Sequence, residues 1–124
     1  MHQASQSDQW SGRILGPLAE WHAMSGDLAA ARRYVEQMLA PSMLVAVERP
    51  EYHWTAAQVF RACGEEQLAR KELTYARKLV AKVAAELSGE ELLRYESVPW
   101  NRAIIDAHDF DKWPPPNRFQ REAE

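Results

Sequence analysis

The densest grouping of metal-ligating side chain types in this chain is Asp106, His108, Asp109 and Asp111. Carboxylates and an imidazole are suitable donors, yet their spacing matches neither the regular calcium-binding loop nor a zinc pattern. A helix end solvated by carboxylates is the preferred reading, with no metal and no cofactor. His53 shares a helical face with Ala56, Ala57 and Phe60, so it reads as a packed histidine holding one hydrogen bond. Cys63 stands beside Gly64 without a neighbouring histidine to activate it, and reads as structural. Gly12 and Gly16 are not followed by Gly-Lys-Ser/Thr, so no phosphate-binding loop is present. No serine, histidine and carboxylate fall in a recognisable nucleophilic order. An enzyme is not expected.

Charge narrows the partners. The chain has 124 residues, 15 Lys and Arg against 18 Asp and Glu, and a formal net charge of -3. A weakly acidic surface does not attract a phosphate backbone as a whole, so nucleic acid is an unlikely partner. The best contrary argument is a basic row on one predicted helix: Arg70, Lys71, Arg77, Lys78 and Lys82. Glu65, Glu66, Glu72 and Glu86 lie along the same stretch, which favours a solvated face with intrahelical ion pairs, or a docking surface for an acidic protein. Five tryptophans are a generous supply. Trp10, Trp54, Trp100 and Trp113 do not all fall on core seams, and exposed aromatic side chains carry much of the energy at interfaces. The interaction surface expected from sequence is therefore Trp10, Trp54, Arg70, Lys71, Arg77, Lys78 and Trp100.

One cysteine excludes an intrachain disulfide and suits a reducing, cytoplasmic compartment. Residues 1–8 have no basic start and no apolar core, unlike a signal peptide. No apolar run approaches the roughly 20 residues that a membrane-spanning helix needs. The predicted partner is a protein or peptide, with no membrane.

The elements that position these residues are helices. The first is predicted from about Trp10 to Ser25, with Pro17 either kinking it or opening it. Gly26 closes it in the left-handed conformation, and Asp27 caps the next helix, which carries Leu28, Ala31, Val35, Met38 and Leu39 on one face. Residues 41–50 read as a connector containing the apolar run Met43 to Val47. A third helix is predicted from Tyr52 to Cys63 and ends at Gly64. The fourth has a seam at Ala69, Leu73, Ala76, Val80, Val83 and Leu87, spaced 4, 3, 4, 3 and 4 apart. Ser88 and Glu91 form a capping-box signature for a short fifth helix containing Leu92, Leu93 and Tyr95. A sixth covers Trp100 to about His108 with Ile104 and Ile105 inward, Trp100 against the end of the fourth helix, and Asn101 tying the connector by its amide. Lys112 to Asn117 should be extended. The domain reading is a flexible N-terminus at 1–9, a helical domain at 10–110, and a proline-rich tail at 111–124.

Two of these stretches repeat. Leu18 to Tyr34 and Ala56 to Glu72 show the same small-residue pattern 38 positions apart. In both, an apolar helix ends at a glycine, an acidic residue follows, and alanine stands five positions after the glycine. Ala19, Gly26 and Ala31 correspond to Ala57, Gly64 and Ala69, with Val35 opposite Leu73. Small residues let paired helices approach closely, and one hairpin cannot bury both its faces, so the second must pack on the first.

This arrangement resembles the tetratricopeptide repeat, whose unit of about 34 residues has a small residue in its first helix, glycine near the turn and alanine early in its second. The likeness covers about residues 15–39 and 53–77. It implies an all-α fold of antiparallel hairpins stacked right-handed, with short C-terminal capping helices. Tyr52 to Gly64, followed by Glu90 to Ile105 with the pair Val98-Pro99 and then Asn101-Arg102, is also similar to the C-terminal end of helical-repeat regions in large bacterial signalling proteins. Those proteins couple an ATPase module to a DNA-binding or cyclase module. The resemblance implies a non-catalytic protein-interaction scaffold related to signalling or transcription regulation. A small-ligand or peptide sensor is the first alternative and a nucleic-acid-binding helical module the second. Trp10 and the apolar first helix leave one end of such a stack to cover, so the expectation there is either a homodimer through that end or contact with preceding repeats of a longer protein.

Overall fold

The computed structural model describes residues 12–40 and 49–114, and the described residues contain six α-helices and no strand. They are α1 (Gly12–Met24), α2 (Leu28–Met38), α3 (Pro50–Ala62), α4 (Glu66–Ala84), α5 (Gly89–Glu96) and α6 (Pro99–Phe110). Trp10, the run Met43 to Val47, and the tail beyond Pro114 lie outside the described residues.

The two turns predicted to be equivalent share a glycine conformation and two closing hydrogen bonds. Gly26 has φ +89° and Gly64 has φ +82°. The amide of Asp27 donates to the His22 carbonyl at 2.8 Å, and that of Glu65 to the Phe60 carbonyl at 2.9 Å. Gly26 donates to Ala23 at 3.1 Å, and Gly64 to Arg61 at 3.0 Å. Each pair satisfies carbonyls that a helix end would otherwise leave open. The acidic residues then diverge. Asp27 Oδ1 accepts from the amide of Ala30 at 3.1 Å and caps α2. Glu65 makes no such cap and instead pairs with Arg32, tying α2 to the start of α4. Arg32 also lies over the Phe60 ring, 5.7 Å from its centroid.

α1 packs on α2, α3 packs on α4, and α3 meets both helices of the first pair. The repeat alanines make these approaches possible: Ala19, Ala31, Ala57 and Ala69 are all fully buried. Leu15, Val35, Met38, Val59 and Phe60 fill one core between the pairs. Leu73, Ala76 and Val80 fill a second with Trp54, Ala57, Ile104, Ile105 and Ala107, which seats α6 on the second pair. Each large side chain removed from water here contributes about 1.5–3 kcal/mol. α3 is the central element, buried at every position from Tyr52 to Phe60.

That position requires polar partners for its polar residues. His53 Nδ1 lies 2.7 Å from Glu72 Oε1, and both residues are buried. The His53 ring stacks on Tyr75 with centroids 4.4 Å apart. The histidine is thus packed as its helical face indicated, and its carboxylate partner comes from α4.

Three expectations need correction. The α4 seam does not reach Leu87: Val80 is buried, but Val83 is exposed and Leu87 half-buried. α4 has 19 residues and α3 has 13, so the six extra residues carry α4 about 9 Å past its neighbour at the usual helical rise. The capping box at Ser88 and Glu91 does not form, because the Ser88 side chain makes no cap bond. Trp100 does not close the end of α4; it projects into a groove beside α1 and α3. Asn101 does tie α5 to α6, with Nδ2 donating to the Tyr95 carbonyl at 2.9 Å. Pro17 sits inside α1, which begins no later than Gly12.

Candidate functional site

Three helices leave a groove between them. Two adjoining hollows, of about 370 Å³ and about 420 Å³, share Glu20 from α1, Glu51 and Thr55 from α3, and Trp100 from α6. Gly16, Pro17 and Tyr52 extend it at one end, and Trp54, Gln58, Pro99, Ala103 and Pro114 at the other. Helical geometry explains the selection. Glu51, Trp54, Thr55 and Gln58 follow i, i+3, i+4 and i+7, one continuous face of α3. Gly16, Pro17 and Glu20 form the same kind of face on α1.

The groove's polar groups are anchored. Thr55 Oγ1 donates to Glu20 Oε2 at 3.3 Å, linking α1 to α3. Arg49 Nη1 donates to Glu51 Oε2 at 3.4 Å. Trp100 is 43% exposed, although it is one of the largest apolar side chains in the protein. The groove therefore combines an indole surface with two carboxylates, a pattern suited to recognition by contact and charge.

The residues expected at an interaction surface are divided by the structure. Trp100 lies in the groove. Trp54 does not offer a free surface: it is only 6% exposed and stacks on Trp113, with ring centroids 5.8 Å apart. Arg61 also lies against Trp113, with its guanidinium 4.7 Å from the ring centroid. The start of the tail is thus packed onto α3, and Trp113 touches both cores.

The basic row of α4 is split in two. Arg77 makes two hydrogen bonds to Asp109, each 3.1 Å, and Arg70 approaches Glu66 at 3.6 Å and Asp111 at 3.9 Å. These arginines clamp α4 to α6 and the residue after it. Lys71 and Lys78 instead flank Thr74 and exposed Tyr75 around a hollow of about 610 Å³. Among the described residues neither lysine is ion-paired.

The cluster Asp106, His108, Asp109 and Asp111 is distributed among cations. Asp106 pairs with Arg102 at 3.5 Å, and Asp109 receives both Arg77 and His108. The Arg77 hydrogen bond, then that of His108, lowers the Asp109 carboxyl to about 2. No group of three or more His, Cys, Asp or Glu side chains among the described residues is arranged to hold a metal ion. Burial raises the Cys63 thiol above its ordinary value, with Arg32 opposing the shift, and its Sγ contacts the Leu28 carbonyl at 3.8 Å. A raised thiol is a poor nucleophile at neutral pH.

Glu20, Glu51 and Thr55 are groove residues that no sequence motif singled out. A signal for two of the three was present. The offset of 38 that aligns the turns also aligns Gly16 with Trp54, Pro17 with Thr55 and Glu20 with Gln58, and all six line the groove. No helix among the described residues is long and apolar enough to cross a membrane. In comparisons with known proteins, no family model, no curated protein and no solved structure matches the chain.

Proposed function

We propose that this chain is a non-catalytic interaction scaffold, a right-handed stack of tetratricopeptide-like antiparallel hairpins that holds an extended segment of a partner protein. The observation that carries the proposal is the groove formed by equivalent faces of α1 and α3 and closed by Trp100 of α6. Repeated turns support the repeat reading, since the same hydrogen bonds recur at both glycines. An extended chain suits such a groove because its side chains can enter the two hollows while its backbone remains near the rim.

Retention of partners by the immobilised full chain tests this reading. Glu20→Lys with Glu51→Lys, and separately Trp100→Ala, should abolish retention of specific proteins while melting transitions stay close to that of the intact chain. Lys71→Glu with Lys78→Glu should retain them. If the groove variants hold the same proteins and the lysine variant loses them, the α4 face is the docking surface and the proposal fails.

A further inference from the structure

The groove has a charge as well as a shape. Glu20 and Glu51 border both hollows. Among the described residues Glu20 meets no cation, and the group that holds it is the neutral Thr55 hydroxyl. Glu51 meets Arg49, half of whose side chain is open to water. The remaining lining is largely apolar, from Pro17, Tyr52, Pro99, Trp100 and Pro114.

A neutral segment laid over this lining would strip water from Glu20 without replacing its interactions, which is costly for an ionised carboxylate. An acidic segment would add repulsion. A lysine or arginine resolves both difficulties. Its charged head restores a partner to the carboxylates, its alkyl stem covers apolar surface, and an indole face attracts a cation. We propose, on the basis of the groove as the docking site, that its occupant is a basic segment of a partner protein. That segment inserts a lysine or arginine side chain toward Glu20 and Glu51, with the stem along Trp100.

The test is fluorescence anisotropy of the full chain with short labelled proline- and leucine-rich peptides that differ only at the central residue: arginine, lysine, citrulline, leucine or glutamate. The arginine and lysine peptides should bind at least about tenfold more tightly than those with citrulline or leucine, and the glutamate peptide should bind most weakly. In the double variant Glu20→Gln and Glu51→Gln the preference should fall to about twofold or less. Glutamine preserves an acceptor for Thr55, and an unchanged melting transition shows that the variant folds.

Equal binding of all five peptides, abolished by Trp100→Ala, overturns the cationic occupant and leaves the groove as a docking site. Binding of none of them, with partner retention unaffected by the groove variants, overturns the docking reading as well. A cationic preference that persists in the double glutamine variant overturns the role of these carboxylates. The tail contains Arg118 and Arg121, so Arg118→Gln with Arg121→Gln separates a partner from this chain's own segment. Unchanged affinity for the arginine peptide supports a partner, whereas a tenfold gain identifies the tail as the occupant and overturns the proposal. A dimer in light scattering that the arginine peptide dissociates identifies a second copy and also overturns it.

Discussion

Replacing Gly26 or Gly64 with alanine isolates a single physical cost. Both residues occupy the left-handed region, at φ +89° and +82°, and a Cβ added at either meets nothing within 4 Å. Steric crowding therefore contributes nothing, and only backbone conformation remains. An L-residue in that region costs roughly 1–2 kcal/mol. Alanine recovers about 0.4–1 kcal/mol of this by restricting the unfolded chain. The net expectation is about 1 kcal/mol of destabilisation at each turn. Because the two backbone hydrogen bonds that close each turn correspond, the two costs should agree within about 0.5 kcal/mol. The double variant should lose about 2 kcal/mol, plus or minus the coupling carried between the turns by the Cys63–Leu28 and Arg32–Glu65 contacts. Urea denaturation followed by far-UV circular dichroism measures this directly, provided the m-value is unchanged. For a domain of this size, each substitution should lower Tm by about 3–6 °C. One sensitive turn beside a neutral one, or a gain of stability in both alanine variants, would show that the left-handed backbone is not what these glycines supply.

Ala57→Leu or Ala69→Leu should destabilise the fold by about 1–3 kcal/mol, because both alanines are fully buried where helices meet; an unchanged urea midpoint in either would remove the close contact. Asp109→Asn should cost about 1 kcal/mol at pH 7, discounted because the carboxylate is one-third exposed. Its folded pKa of about 2 lies below its ordinary 3.8, so the contribution is full above about pH 4 and vanishes as pH falls through 2. Parallel melts of the two proteins should accordingly converge at pH 2, and a constant gap across this range would contradict the Arg77 pair. Trp113→Ala should cost about 1–2 kcal/mol through lost contact with Trp54 and Arg61, whereas Trp100→Ala should change stability by less than about 0.5 kcal/mol in the same urea series.

Periodicity made the helices legible. Glycines followed by acidic residues located both turns, and the alanine positions identified where helices approach. The seam of α4 was overextended because helical spacing records a face but not where a shorter neighbour ends. Trp54 was expected on the interaction surface and Trp100 against the end of α4 for a related reason. Trp54 lies on the buried central helix and is covered by Trp113, a long-range contact that no local pattern encodes. Trp100 stands one residue before buried Asn101, and only the docking of α6 decides which of the two faces inward. In the basic row, Arg70 and Arg77 look like Lys71 and Lys78 until α6 brings Asp109 and Asp111 alongside. The groove was partly visible, since Glu20 and Gln58 are repeat equivalents, but attention to small residues passed over the polar ones.

The proposed docking surface is the face shared by α1, α3 and α6. It is tested by titrating the isotope-labelled full chain with the arginine-centred peptide and following tryptophan indole and backbone amide N–H resonances together. Trp100 lies in the groove, while Trp21, 61% exposed on α1, is not among the residues lining it. Docking there gives a saturating shift of the Trp100 indole and leaves Trp21 unmoved. A shift confined to Trp21, or saturating shifts at Lys71 and Tyr75 with Trp100 stationary, would contradict it.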